Sequence, residues 1–156
     1  MAERRHVLRR LWTRRRDLPI LIEATFGLGN ARLALKLQPF RHVARRLTRP
    51  AASSAVAAPD LVARRVRWAI LAAARRVPWQ TVCFDQGIAA QRMLARRGIV
   101  ADLVYGVRRS EHELDAHVWV RLANGWIVVG GEQAPLFQPI ALFRPGLEDA
   151  VVPSSS

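Results

Sequence analysis

Cys83 and His117 are the two residues of this 156-residue chain whose types and placement suggest chemistry. A thiol attacks a carbonyl only as the thiolate, and both a helix N-terminus and a neighbouring imidazolium stabilise that anion. Cys83 stands where a turn containing Trp79 gives way to helical spacing, and His117 follows in a strand-like segment. Such a pair can run acyl transfer. The thiolate attacks, the imidazole holds and returns the proton, and backbone N–H groups near the cysteine stabilise the oxyanion. Spacing alone does not establish this, because a single helical cysteine is commonly a small buried hydrophobe.

The elements that must position the pair are legible around it. Asp60 is a plausible N-cap for a helix reaching about Arg76, with Leu61, Val62, Val66, Ile70 and Ala73 toward the core. Pro78 ends it, and Thr81 is placed to cap the next helix, Cys83 to Arg97, which Gly98 stops. Ile99 to Val107 alternates like a strand, Arg108 to Glu113 is a polar turn, and Leu114 to Leu122 is a second strand. Asn124-Gly125 is a strong hairpin signal leading into Trp126–Val129, and Gly130-Gly131 closes it. The expected fold class is therefore α+β: a Cys helix packed on a small antiparallel sheet, preceded by a helical region. The organisation reads as residues 1–58 (basic helices and linker), 59–145 (core) and 146–156 (flexible tail).

The formal net charge is +13, from 25 Lys+Arg against 12 Asp+Glu, and the pI is near 11.8. An acidic partner must be considered, although Lys36 is the only lysine and an arginine bias of this kind also reflects codon composition. Between Glu3 and Arg16, Val7, Leu8, Leu11 and Trp12 put an apolar stripe on a cationic helix, which suits docking or a membrane surface. Leu18 to Phe40 is largely apolar, but Glu23, Arg32 and Lys36 interrupt it and Gly27 and Gly29 loosen it, so a spanning helix is not expected. One cysteine excludes an internal disulfide, and no secretory signal is evident. A cytoplasmic location follows, with peripheral membrane contact open. Scattered histidines, His112 among them, lack the spacing of a metal site, and phosphate-loop, GxSxG and dinucleotide motifs are absent. No cofactor is expected.

A cysteine at a helix start with a histidine on following strands is the arrangement of papain-like and transglutaminase-like enzymes. More specifically, Pro78-Trp79 before Cys83, Cys83-x-x-Gln86, Leu94-x-x-Arg97-Gly98-Ile99, Val104-x-Gly106-Val107 and Ala116-His117-x-Trp119-Val120 occur in one order. Together with the N-terminal run from Leu28 to Leu47, they resemble the leader peptidase of lasso-peptide biosynthesis, a transglutaminase-like family. The resemblance implies a cysteine peptidase that cuts leader from core in a ribosomally made precursor. It also implies a separate leader-recognition protein, because this short form lacks that domain, and an ATP-dependent macrolactam-forming cyclase.

In that family a Cys-His-Asp triad does the work, and Cys83 and His117 carry over. The aspartate does not: where it is often found, this chain reads Val128-Val129-Gly130-Gly131. Asp115, Glu132, or a backbone or side-chain amide acceptor are the alternatives, as is a working dyad. Trp79, Gln86 and Trp119 are candidates for the substrate groove or oxyanion site, and each has a plain reading as packing or solvated surface. The rival functions are a basic nucleic-acid- or membrane-binding module, and a transglutaminase-type acyl transferase in which an amine replaces water. Nucleic acid is the less expected partner.

Overall fold

The computed structural model describes residues 2–53, 56–109 and 113–147, with side chains described from Asp17 onward. Among the described residues, four helices precede and flank one sheet: α1 (Ala2–Leu37), α2 (Phe40–Leu47), α3 (Pro59–Ala74), α4 (Cys83–Ala95), then β1 (Ala101–Arg109), β2 (Leu114–Leu122), β3 (Ile127–Val129), a 3-10 turn (Ala134–Leu136) and β4 (Gln138–Phe143). The sheet is antiparallel in the order β3-β2-β1-β4. The fold is α+β, as expected.

Helix α4 is the central element because small residues let it approach neighbours on two sides. A Cβ at Gly87 would stand 2.7 Å from a Val118 methyl of the sheet, and one at Gly27 of α1 would stand 3.3 Å from the Cβ of Ala89. Ile88, Ala90, Met93 and Leu94 fill the space between. Gln91, fully buried, donates its amide to the carbonyls of Ala101 (3.1 Å) and Phe143 (2.7 Å), tying α4 to the ends of β1 and β4.

The glycines expected to loosen the segment after Leu18 thus serve close packing inside one continuous helix. Asp17–Leu37 is long and apolar enough to cross a membrane by length and composition, with mean hydropathy 1.2. Here its inner face, Ile20, Ala24, Leu28, Ala31 and Ala34, lies in the protein core. The side chains of the Glu3–Arg16 stripe lie outside the described residues. Residues from both sides of the expected boundary at 58/59 enter one hydrophobic cluster, Leu28, Val43 and Leu47 beside Val66, Ile70 and Met93. The proposed flexible tail lies outside the described residues from 148 onward.

Several local expectations shift. Asp60 is not an N-cap: Ala58, in the left-handed region at φ 58°, precedes Pro59 at the first helical position, where proline's missing N–H costs nothing. Asp60 instead sits in the first turn, and Leu61 is exposed. The first strand runs on to Arg109, consuming the start of the expected turn, while residues 110–112, including His112, are not described. The second strand has the expected bounds, and Gly98 and Gly125 have positive φ at the helix stop and hairpin turn. Strand β4 is an element beyond the three strands expected from the sequence. Pro139 lies within it, which an edge position tolerates.

Candidate active site

Cys83 is the first residue of α4, half-buried, with Val82 as N-cap. The cap is held from inside the helix: the buried Asp85 carboxylate accepts the Val82 N–H at 3.2 Å. Thr81, expected to cap the helix, instead accepts a hydrogen bond from the Gln86 side-chain amide at 3.2 Å. From α1, Arg32 donates to the Gln80 carbonyl at 2.6 Å and lies 3.6 Å from Asp85. The turn that presents the thiol is therefore clamped by an ion pair whose cation comes from another helix. The first N–H groups of α4 have no carbonyl one turn back, so they remain available as donors at the helix start that carries Cys83.

His117 stands mid-strand in β2, opposite Gly106 of β1. The β2–β3 ladder ends at Val120↔Val129, so on its other side β2 has no β3 partner at His117. The space left by the departing chain becomes an open cleft of about 530 Å3 lined by Cys83, Gln86, His117, Gly130, Gly131 and Glu132, with Arg67 at its wall. Helix start and strand edge thus bring the two sequence-derived residues to one cleft.

His117 is 7 % exposed. Its Nε2 lies 2.9 Å from the Gly130 carbonyl oxygen, which can only accept, so Nε2 carries the proton. In the neutral ring that leaves Nδ1 as the lone-pair nitrogen. Phe137 and Trp119 wall the ring, with centroids 5.1 Å and 6.1 Å away. Gly130 reaches this position at φ 78°, with its Cα so close to the Val118 carbonyl that a side chain would collide with it.

The remaining candidates separate. Asp115 is on the same strand as His117, but its carboxylate accepts from Arg108 at 2.7 Å and it does not line the cleft. Glu132 lines the cleft and is exposed. Neither makes the hydrogen bond that Gly130 makes to Nε2. Gln86 lines the cleft too, and one N–H of its amide remains beyond the bond to Thr81. Trp119 is buried against Phe137 and Leu142, over Gly106, and shields the imidazole rather than lining the cleft. Trp79 is packed beside Gly29 of α1, its buried indole N–H without a hydrogen-bond partner among the described residues. It is a packing residue here, not a donor to the cleft.

Arg67 was not anticipated. It reaches from α3 to donate to the Val128 carbonyl at 2.6 Å, bracing β3 just before Gly130. One arginine among many in α3 carries no sequence signal for that role.

A helix-initial thiol, a tautomer-locked imidazole and helix N–H donors around one cleft can support nucleophilic acyl transfer. The transglutaminase-like superfamily, which includes cysteine proteases and acyl transferases, has a family model that matches residues 26–142. No curated protein and no solved structure matches the chain. The matched span runs from within α1 to β4 and takes in both Cys83 and His117, and the chain belongs to the transglutaminase-like superfamily.

Proposed function

We propose that the protein is a cysteine peptidase that removes the leader from a ribosomally made lasso-peptide precursor. The observation that carries the chemistry is the cleft shared by Cys83 and a His117 whose Nε2–H is held by the Gly130 carbonyl. The substrate class rests on the sequence resemblance around these residues.

In this mechanism the Cys83 sulfur attacks the scissile carbonyl carbon while its proton passes to His117 Nδ1. The oxyanion is met by N–H groups at the start of α4, with the Gln86 amide beside them. Collapse breaks the C–N bond, and the departing amine takes the proton from Nδ1. Water then attacks the thioester with His117 as base, releasing the leader carboxylate and restoring the thiol. The Gly130 carbonyl acts as the third member: it orients the ring and stabilises its charged form as an aspartate would, with a partial rather than a full charge.

Leader binding is assigned to a separate protein, which raises the effective concentration of the scissile bond near Cys83, and an ATP-dependent cyclase follows to close the macrolactam. The test is incubation of precursor with this protein and a leader-binding protein, with products read by mass spectrometry. Leader and core each at their hydrolytic masses, lost in Cys83→Ala, support the reading. Products joined to an added amine point to acyl transfer instead, and unchanged cleavage by Cys83→Ala refutes the nucleophile.

A further inference from the structure

A second concavity of about 470 Å3 lies between α1, α2 and α4, apart from the cleft at Cys83. Its floor is small and aliphatic, including Ala31, Val43 and Ile88, while four arginines converge on it: Arg46, Arg49, Arg92 and Arg96. The carboxylate on its wall, Glu23, is already shared between Arg96 and Arg97. Arg92 is drawn across to the Arg46 carbonyl at 2.8 Å. The exposed Arg46 and Arg49 have no carboxylate partner among the described residues.

Bringing like charges together beside an apolar floor is unfavourable without an anion. Burial first, and then the charges of Arg96, Arg49 and Arg46, hold the Arg92 guanidinium below its ordinary pKa. Phe26, 72 % exposed, stands on the groove wall. It belongs to an outward stripe on α1 with Leu18, Ile22, Leu33 and Leu37, all exposed at helical spacing.

We infer that this groove docks an acidic polypeptide segment of a partner protein, seating an apolar side chain on the Val43–Ile88 floor beside Phe26 while carboxylates pair with Arg46, Arg49 and Arg92. Guanidinium forks match carboxylates in geometry as well as charge. The concave aliphatic floor selects a protruding side chain, whereas a bilayer surface cannot enter it, and an oligonucleotide would gain a single aromatic platform at Phe26. An amphipathic helix lying against the α1 stripe presents both chemistries at once.

The inference does not depend on the chemistry of Cys83, so binding must persist in Cys83→Ala. The probe is a fluorescein-labelled peptide built from Glu-Glu-Leu repeats, titrated with the full chain and followed by anisotropy. Arg46→Gln/Arg49→Gln is expected to weaken binding on the order of tenfold, since each exposed pair contributes up to a few-fold, and Phe26→Ser to weaken it further. Arg41→Gln/Arg45→Gln removes the same charge from exposed positions of α2 outside the groove, and should stay within about twofold. Circular dichroism verifies that each variant is folded. Equal losses in the two double variants would show diffuse attraction only and overturn the proposal. So would the lack of saturable peptide binding, or displacement of the peptide by oligothymidylate or phosphatidylglycerol vesicles through Arg46 and Arg49.

Discussion

Replacing Gly130 by alanine tests the least conventional part of the site, a backbone carbonyl in the place of a triad carboxylate. The residue sits at φ 78°, where an L side chain costs about 1–2 kcal/mol. An added Cβ would also run into the Val118 carbonyl and come within 3.0 Å of the Trp119 Cα. Both are main-chain atoms of β2, unable to yield as a flexible side chain would. The chain at 130 must therefore move, taking its carbonyl away from the 2.9 Å contact with Nε2. A hydrogen bond to a charged imidazolium contributes about 1.5–3 kcal/mol, so kcat should fall roughly 10- to 150-fold, with a stability loss of about 2–4 kcal/mol from the strain. On the proposed function, the assay is cleavage of a lasso precursor with a leader-binding protein added, at a temperature well below the variant's own Tm. Asp115→Asn and Glu132→Gln, measured alongside, should stay within about threefold of wild type, since neither carboxylate makes the hydrogen bond to the imidazole. A folded Gly130→Ala with wild-type kcat would refute the assignment, as would a carboxylate variant with the larger loss.

Asp85→Ala removes both the acceptor of the Val82 N–H and the counter-ion of Arg32. Stability should fall by about 1–2 kcal/mol, visible as a lower Tm, and an unchanged Tm would deny the clamp. Burial raises the Glu23 pKa, but hydrogen bonds from Arg97 and Arg96 and their charges outweigh it and leave it below the ordinary carboxyl value. A depressed carboxyl stabilises the fold above its unfolded pKa and loses that contribution as pH falls through the folded value. Denaturation of wild type and Glu23→Gln should therefore differ at neutral pH and converge in acid once the pH has fallen through the depressed pKa of the folded carboxyl, whereas a gap independent of pH would contradict the ion-pair account.

What the sequence made legible followed from local physics. Leu114–Leu122 alternates cleanly and is bounded by turn residues, so its ends could be read off. Gly98 and Gly125 stop elements at a helix end and a hairpin turn, where each takes positive φ. Cys83 and His117 were visible because their neighbours form several motifs in one order. The rest depends on distant partners. Gly27 looks like a loosening of its segment until Ala89 is known to lie against it, and Gln138–Phe143 is marked as a strand only by its pairing with β1. The partner of His117 could not be named from side chains because it has none. What the sequence did record was the glycine that lets the carbonyl reach Nε2.

The central claim is that His117 activates Cys83, and the most direct measurement is the rate at which iodoacetamide alkylates Cys83 at neutral pH. Because the chain has one cysteine, intact mass reports that site alone, with no need to know the substrate. Wild type should react on the order of tenfold or more faster than a folded His117→Ala, since only the thiolate is alkylated and the imidazolium sustains it. Equal rates in the two proteins would contradict the account.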